Sequence, residues 1–298
     1  MRVVTDFRSE PPFEILSPAE QIHPFVFNSP HSGTAYPEDF LAASRLDSRR
    51  IRLSEDAHVD KLFMHAVTAG APLLRAHFPR AYLDVNREPY ELDPRMFDGR
   101  LPAFANVRSI RVAGGLGTVP RVISDSEEIY AGPMAIEEAL DRIETLYKPY
   151  HAALTRLLAQ THVRFGRAVL IDCHSMPSAV RGQDARGRSD FVLGDRHGTS
   201  ASRALIDHAA GALSAFGYKV AINRPYAGGF ITEHYGRPAK GLHALQIEIN
   251  RALYMDERTL DPHSGFVRLS AEIADFIDGL TRLPLQVVCP SPGRFAAE

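Results

Sequence analysis

The sequence has few of the features that mark secreted or membrane proteins. Only two cysteines, Cys173 and Cys289, occur in 298 residues, and they do not form a Cys-x-x-Cys pair. They provide no disulfide framework, which is typical of a reducing compartment. The N-terminus has no basic segment followed by an apolar run, and no stretch approaches the ~18 consecutive apolar residues of a membrane span. We therefore expect a cytoplasmic protein.

The chain also has no excess of charge of either sign. Its 34 lysines and arginines nearly balance 36 aspartates and glutamates, so the formal net charge is -2. Neither a nucleic acid nor a membrane surface is expected as a partner, because both select for dense positive charge. We expect a small-molecule substrate instead, and the oligomeric state stays open. The 13 histidines favour a metal site.

Strand-like and helix-like segments alternate along the chain. This alternation predicts an α/β fold, a mixed and mostly parallel sheet with helices on both faces. With 45% hydrophobic residues, the chain can bury a large core. We predict a single domain with a core of about residues 25–283. Residues 1–24 would form a peripheral arm and residues 284–298 a peripheral tail.

The spacing of apolar residues predicts the individual elements. Short apolar runs bounded by turn residues predict strands, at Phe25–Ser29, Pro72–Ala76, Ala81–Val85, Ala168–His174, Asp190–Leu193, Tyr218–Ile222 and His243–Ile249. Helical spacing predicts helices, at about Pro37–Leu46, Asp47–Ala69, Ala135–His162, Ser200–Phe216 and Gly265–Leu283. Between them, Glu88–Gly132 is expected to be a long proline-rich excursion with short strands at Val107–Val112 and Val119–Ile123.

Polar residues lie at, near or just after the ends of three of these predicted strands. His31 follows the first strand, His174 ends the strand that begins at Ala168, and Glu248 lies near the end of the strand that begins at His243. Chemistry in open α/β sheets gathers at the carboxyl ends of the strands. The repetition of the pattern predicts one polar site at the edge of one sheet.

Two of these residues are candidate metal ligands. A catalytic zinc takes three protein ligands and leaves one position for water. His31 and His174 are the first two candidates, and the third is expected among Glu55, Asp56 and His58. We choose Asp56, because it lies at the start of the amphipathic pattern and shares a helix face with Asp60, and we place Glu55 second. A helix-start carboxylate stabilised by the helix dipole is the competing interpretation. The metal is expected to be zinc or another divalent ion.

Glu248 lies between two isoleucines, where a strand in a core usually carries an apolar side chain. A buried carboxylate is costly unless it is paired or used. Alternation places Gln246, Glu248 and Asn250 on one face of the strand. Glu248 is therefore a candidate general base. A structural ion pair with Arg251 or Arg87 is an equally good explanation from the residues alone.

A further group of residues could bind a substrate. Asn86 and Arg87 present an amide and a guanidinium together, and arginine binds carboxylates in a bidentate way and can polarise a carbonyl. The remaining candidates come from other predicted loops and strands: Arg80, Arg224, Gly228, Gly229 and His243. Cys173 is discounted as a nucleophile, because adjacent residues on a strand point to opposite faces.

Five short segments together resemble the N-formylglutamate amidohydrolase family, over about residues 25–283. They are Asn28-Ser29-Pro30-His31-Ser32-Gly33, Asp84-Val85-Asn86-Arg87, Asp172-Cys173-His174-Ser175, Arg224-Pro225-Tyr226-Ala227-Gly228-Gly229 and Gln246-Ile247-Glu248-Ile249-Asn250-Arg251. That family in turn resembles the zinc carboxypeptidases and aspartoacylases.

The resemblance implies a fold and roles for particular residues. It implies a zinc-carboxypeptidase-like sheet, with His31 and His174 as zinc ligands, Asn86 and Arg87 at the substrate, and Glu248 as the base. The wider group has its acidic ligand three residues after the first histidine, and here that residue is Thr34. Asp56 therefore rests on the residues and not on the resemblance.

The resemblance also implies a reaction. It is the metal-dependent hydrolysis of N-formyl-L-glutamate to glutamate and formate, with an arginine such as Arg87 stabilising the oxyanion. In the family this is a late step of histidine degradation. The alternatives are an aspartoacylase-like or carboxypeptidase-like hydrolase of another N-acylated amino acid, and a metal-free binding protein on the same fold.

Overall fold

The computed structural model describes residues 11–123, 127–179 and 188–284. Its strands are β1 (Phe13–Leu16), β2 (Phe25–Ser29), β3 (Leu73–Ala76), β4 (Ala168–Met176), β5 (Phe191–Gly194), β6 (Val220–Ile222) and β7 (Leu242–Asn250). They form one sheet in the order β1-β3-β2-β4-β7-β5-β6. β4 is parallel to β2 and β7, β5 is parallel to β6, and β5 is antiparallel to β7. The predicted α/β class with a mixed, mostly parallel sheet is confirmed.

Helices of very different length connect the strands. The α-helices of the described residues are α1 (Glu38–Ala43), α2 (Val59–Leu62), α3 (His65–Thr68), α4 (Ile110–Ala113), α5 (Ile136–Arg142), α6 (Lys148–Phe165), α7 (Arg203–Ala215), α8 (Phe230–Tyr235) and α9 (Gly265–Thr281). Single turns of 3₁₀-helix lie at Arg50–Ser54, Pro94–Met96, Pro238–Lys240 and Arg251–Leu253. None of the helices in the described part of the chain is long and apolar enough to cross a membrane.

The chain divides into two compact units. The first comprises Met1–Glu14, Pro30–Ala57 and Arg75–Thr155, and the second comprises Ile15–Ser29, His58–Leu74 and Arg156–Glu298. The boundaries of one domain with a core of about residues 25–283 stay a prediction. Residues 1–10 of the predicted arm and residues 285–298 of the predicted tail lie outside the described residues.

The core of the second unit is built on its two longest strands. Every residue of β4 is buried, and so is every residue of β7 after its first. Burial of both alternating sets of side chains is what a strand covered on both faces shows. The parallel register pairs Asp172 with Gln246 and His174 with Glu248. Polar side chains therefore enter an otherwise apolar layer at matched positions.

In the first unit, a buried arginine holds an aromatic cluster together. Arg142 is 2% exposed. Its guanidinium lies 3.7 Å from the centre of the Tyr82 ring and donates to the Tyr130 hydroxyl at 2.8 Å. It also forms an ion pair with Glu138. Cation–π contact and hydrogen bonds together satisfy a charge that burial would otherwise penalise.

The helix predicted from Asp47 to Ala69 is wrong. The segment is broken into the 3₁₀ turn Arg50–Ser54 and the short helices α2 and α3. His58 ends the regularity, because its φ of 66° is left-handed and cannot continue a right-handed helix. Asp56 therefore lies in the irregular link between the 3₁₀ turn and α2, and not at a helix start. The helix-dipole interpretation of Asp56 does not hold, because no helix begins at this residue.

Three predicted strands are also wrong. Ala81–Val85 is a turn region, because the Tyr82 and Leu83 amides both donate to the Pro79 carbonyl. Within Val107–Val112, Ser109 caps the N-terminus of α4, its Oγ accepting from the Val112 amide at 3.1 Å. In Val119–Ile123, the pairing is an isolated bridge between Val122 and Glu128.

Three smaller differences concern the N-terminal arm and two of the helices. The predicted N-terminal arm contains β1, which pairs at the edge of the sheet. The predicted helix at Ala135–His162 is present, but the π-turn Ile143–Tyr147 interrupts it. Pro149 follows this turn and lacks the N–H that a regular helix needs there. The cap of α7 is Ser202 and not Ser200, whose hydroxyl donates to the Ala244 carbonyl.

A pair of glycine substitutions tests how closely β5 packs. A Cβ on Gly194 would lie 2.7 Å from the Ala227 carbonyl carbon, whereas a Cβ on Gly211 in α7 would meet nothing within 4 Å. We expect Gly194→Ala to lower the free energy of unfolding by about 1–3 kcal/mol through overpacking. Gly211→Ala should raise it by about 0.5–1 kcal/mol, because alanine favours the helix. Urea unfolding measures both, and equal values for the two variants would contradict the close packing.

Candidate metal and active site

His31 follows β2, and two carboxylates hold its buried ring. Nε2 lies 2.8 Å from Asp84 Oδ1, and Nδ1 lies 3.3 Å from Asp56 Oδ2. If Nε2 carries the proton and donates it to Asp84, Nδ1 presents its lone pair on the side of Asp56. The arrangement is that of a metal-binding histidine whose other nitrogen is fixed by a carboxylate.

The backbone around His31 brings these side chains together. The Asp56 amide donates to the His31 carbonyl at 2.9 Å, and Ser32 Oγ donates to the Asp56 carbonyl at 3.0 Å. A Cβ on Gly33 would stand 2.2 Å from the Phe78 carbonyl oxygen. Only glycine allows this close approach, which explains the Ser-Gly pair after the histidine.

Arginines surround Asp84. Arg80 Nε lies 3.1 Å and Arg87 Nη2 3.3 Å from Asp84 Oδ2. Burial opposes ionisation, but the charges of Arg87 and Arg80 and the neighbouring His31 hold the pKa of Asp84 well below its ordinary value. Burial lowers the pKa of Arg87 to about 10. Asp84 and Arg87 are therefore both charged at neutral pH, and Asp84 accepts a hydrogen bond from His31.

Asn86 and Arg87, two of the residues predicted to bind substrate, are buried and fixed in place. Arg87 Nε donates to the Leu116 carbonyl at 2.8 Å, and its Nη1 donates to the Asn86 carbonyl at 2.7 Å. The Asn86 amide donates to Asp84 Oδ1 at 2.9 Å. The guanidinium is thus oriented by the chain itself, so it loses little freedom when it binds an anion.

The two alternatives to Asp56 have other roles. Glu55 accepts from the Tyr36 hydroxyl at 2.7 Å and is paired by both Nε and Nη2 of Arg52, at 2.9 and 3.0 Å. It is a structural carboxylate. His58 Nε2 donates to the Leu260 carbonyl at 2.9 Å. The choice of Asp56 over these two neighbours agrees with the geometry.

The second histidine is oriented in the same way as the first. His174 Nε2 lies 2.8 Å from Asp172 Oδ2, and Asn28 Nδ2 donates to Asp172 Oδ1 at 2.7 Å. Asp172 and His174 are two apart on β4, so they share a face. Asn28 is the register partner of Asp172 on β2. Asp172 and Asn28, on neighbouring strands, thus fix the imidazole of His174.

Sequence reasoning assigned no role to the carboxylates that orient the histidines. Asp172 could have been found, because a strand residue two positions before His174 shares its face. Asp84 carries no comparable signal, because it approaches His31 through the turn at residues 79–84 that was interpreted as a strand.

Glu248 lies on the face of β7 that alternation predicts. Its Oε1 accepts a hydrogen bond from Gln246 Nε2 at 2.8 Å. His174 is its register partner on β4. Arg251, one of the two partners considered for an ion pair, donates to the Ser175 hydroxyl at 3.1 Å. The structure thus places Glu248 beside a candidate metal ligand.

The glycine-rich loop of residues 223–230 reaches the same strand face. The Gly229 amide donates to Gln246 Oε1 at 2.8 Å. Gly228 has a φ of 119°, which glycine tolerates and other residues rarely adopt. Arg224 is exposed on this loop. The loop is therefore connected to the Glu248 face, and Arg224 is available to solvent.

The structure places His243 apart from this group. It is the second residue of β7 and lies five positions before Glu248, so its side chain lies on the opposite face of the strand. Its Nδ1 accepts from the Ser202 amide at 3.1 Å. His243 thus belongs to the packing of α7, and the prediction that it adds to the substrate pocket does not agree with this position.

Cys173 also points away from its neighbour His174. It is fully buried, and burial raises the pKa of its thiol well above the ordinary value. A protonated buried thiol is a poor nucleophile. Its exclusion from the predicted chemistry agrees with this environment.

The predicted ligands form a possible metal site. Within the described part of the chain, His31, Asp56 and His174 are buried and offer ligand atoms that all lie within 4.8 Å of one another. Two imidazoles and a carboxylate are a donor set that suits zinc. The carboxylates on both rings supply the outer hydrogen bonds that usually accompany such ligands. The residues present therefore fit a divalent metal.

Comparisons with known proteins agree on one family. Residues 23–255 match the family model described as N-formylglutamate amidohydrolase. Two similar proteins named N-formylglutamate deformylase come from Pseudomonas aeruginosa and Pseudomonas putida. The first is 30% identical over 82% of this chain and 87% of its own length. The second is 30% identical over 78% of this chain and 82% of its own length.

A solved structure shows the same similarity in three dimensions. The N-formylglutamate amidohydrolase from Ralstonia eutropha JMP134 superposes with a TM-score of 0.86 and 36% sequence identity. The match covers 91% of this chain and 97% of the other. Fold and sequence therefore agree over nearly the whole length of both proteins.

The buried position of His243 predicts a pH dependence of stability. Burial, followed by the charge of Arg167, lowers its pKa from 6.5 to about 4. As pH falls, the unfolded chain binds the proton at a higher pH than the folded protein does. The contribution of neutral His243 to the free energy of unfolding is therefore complete above about pH 6.5 and is lost toward pH 4. At ~1.4 kcal/mol per pKa unit, the loss is up to about 3 kcal/mol.

Replacement of His243 should remove this dependence. In His243→Asn, the side-chain oxygen can still accept from Ser202, but nothing titrates. We expect urea unfolding between pH 6.5 and 4 to show a shallower loss of stability than in the unsubstituted protein. His208→Asn, at an exposed position of α7, should keep the original slope. An unchanged slope in the His243 variant would show that other groups cause the acid sensitivity.

Proposed function

The chain belongs to the N-formylglutamate amidohydrolase family and is a hydrolase of amide C–N bonds, and we propose that its substrate is N-formyl-L-glutamate. The products are L-glutamate and formate. The observation that carries the proposal is the buried group of His31, Asp56 and His174, whose donor set suits a metal of the hydrolytic kind. The names of the Pseudomonas relatives support the choice of substrate.

We propose that this group holds Zn²⁺ or another divalent ion. His31 would bind through Nδ1, because its Nε2 faces Asp84. His174 would bind in the same way, because its Nε2 faces Asp172. A bound divalent metal lowers the pKa of a water molecule and polarises a carbonyl oxygen.

Glu248 is the proposed general base. It takes a proton from the water that attacks the formyl carbon and returns it to the nitrogen of the departing glutamate. Its carboxylate is 8% exposed and accepts a hydrogen bond from Gln246, so it is held in place for this exchange. Arg87 is the proposed stabiliser of negative charge on the formyl oxygen.

The substrate is a dianion at neutral pH, so it needs cationic partners. We propose that Asn86, Arg87 and Arg80 bind one carboxylate. Arg224, with the Gly228–Gly229 backbone beside it, would bind the second. Arg87 is oriented by three hydrogen-bonding contacts before any ligand arrives, which reduces the entropy lost on binding.

We further propose that the reaction takes place in the cytoplasm, as a late step of histidine degradation. The low cysteine content supports a reducing compartment. The pathway follows from the reaction proposed for the chain.

A hydrolysis screen tests the substrate. N-formyl-L-glutamate should be cleaved with the highest kcat/KM, measured as formate release. N-formyl-L-glutamine removes one carboxylate, N-formyl-L-aspartate shortens the chain, and N-acetyl-L-glutamate and N-succinyl-L-glutamate enlarge the acyl group. Preference for an N-acetyl or N-succinyl compound would replace the proposal with another acylase. Binding without turnover, in a protein that takes up no metal, would indicate a binding protein.

The metal ligands can be tested against a neighbour. We expect His31→Ala, His174→Ala and Asp56→Ala each to lose bound metal and formate release while keeping the fold. Glu55→Ala should keep its metal and lose about 1–3 kcal/mol of stability, because Arg52 and Tyr36 lose a buried partner. Metal analysis and thermal unfolding distinguish the two outcomes. Loss of metal in Glu55→Ala but not in Asp56→Ala would reverse the assignment.

Glu248→Gln separates the base from a structural carboxylate. The amide keeps the size of the side chain but cannot take a proton, so kcat should fall ~10²–10⁴-fold. Metal content and melting temperature should stay close to those of the unsubstituted protein. Near-normal turnover per folded molecule, together with a lower melting temperature, would identify Glu248 as a structural partner.

A further inference from the structure

Gln246 connects the proposed base to a loop of the same unit. It lies on β7 two residues before Glu248 and is 4% exposed. Its Nε2 donates to Glu248 Oε1 at 2.8 Å, and its Oε1 accepts from the Gly229 amide at 2.8 Å. One buried amide thus links the backbone of the 223–230 loop to the Glu248 carboxylate.

The rest of this loop is attached to the end of β5. Asn223 Nδ2 donates to Asp195 Oδ1 at 2.7 Å, and the Arg196 amide donates to the Ala227 carbonyl at 2.7 Å. The backbone at Ala227 and Gly228 also packs directly on Gly194, where there is no space for a Cβ. The Gly229 amide is therefore presented to Gln246 from a well-fixed segment.

The Gly229 amide determines which way the Gln246 side chain points. A backbone N–H can donate only to the oxygen of a glutamine side chain, because the side-chain nitrogen of glutamine cannot accept a hydrogen bond. With the oxygen turned to Gly229, Nε2 is directed at Glu248. The hydrogen bond to one carboxylate oxygen then sets the plane of the carboxylate, and a bond to a charged acceptor is stronger than a neutral one.

We propose that Gln246 is a positioning residue that holds the Glu248 carboxylate in the orientation imposed by the 223–230 loop. The inference rests on the proposed function, because it takes Glu248 to be the base. Gln246 touches neither the substrate nor the reacting atoms in this proposal. Its loss should therefore lower kcat and leave KM almost unchanged.

Two substitutions separate the two ends of the amide. Gln246→Glu keeps an oxygen for Gly229 but presents an acceptor to Glu248 where a donor is needed. Gln246→Met keeps the length and makes neither bond. Gln160→Glu and Gln160→Met, at an exposed position of α6, are the matched controls. For each variant we would measure kcat, KM, metal content, melting temperature and amide hydrogen exchange of residues 223–235.

We expect kcat to fall about 10- to 100-fold in both Gln246 variants, as misplacement of a catalytic group typically does. KM should change less than twofold, and metal content should stay the same. Exchange at Gly229 should accelerate in Gln246→Met and remain slow in Gln246→Glu. The Gln160 variants should match the unsubstituted protein in every measurement.

Three outcomes would overturn the proposal. They are unchanged kcat in Gln246→Glu, a loss of kcat fully explained by lost metal or unfolded protein, and equally slow exchange at Gly229 in Gln246→Met. An unsubstituted protein that does not hydrolyse N-formyl-L-glutamate would contradict the proposed substrate instead. The Gln246 variants would then be measured on the compound that the screen identifies, and the exchange result would stand by itself.

Discussion

The hydrogen bonds that His31 donates to Asp84 and that His174 donates to Asp172 are the interactions on which the candidate site depends. Each is 2.8 Å long and buried. Each occupies Nε2 of a ring, so Nδ1 is the nitrogen that would bind a metal. Buried carboxylates need such partners, because unpaired charge is costly inside a protein. Arg80 and Arg87 satisfy Asp84 in addition, so residues predicted to bind substrate also stabilise the carboxylate that fixes His31.

The sheet explains why some of this site could be predicted from the sequence. His31 follows a buried strand and His174 lies two residues before the end of one. Glu248 shares a strand face with Gln246 because side chains alternate. These rules depend only on the order of residues along one strand. The same alternation rule excludes His243 from the Glu248 face, although its histidine chemistry made it a candidate.

Other features depend on conformations that apolar spacing does not encode. The segment 47–69 has helical spacing, yet the left-handed His58 divides it and leaves Asp56 in the irregular link before α2. Neighbouring carboxylates then have different roles, since Arg52 and Tyr36 pair with Glu55 while the backbone of His31 holds Asp56. Asp84 reaches His31 through a turn whose sequence resembles a strand. Such contacts join residues far apart in sequence, so no local sequence pattern predicts them.

The central claim is that a single metal ion held by His31, Asp56 and His174 is required for formate release. The direct measurement is a titration of metal-free protein with Zn²⁺, following both bound metal and formate release from N-formyl-L-glutamate. Activity should rise in proportion to bound metal and stop increasing at one equivalent per chain. Full activity in the metal-free protein, or an activity that does not follow bound metal, would contradict the account.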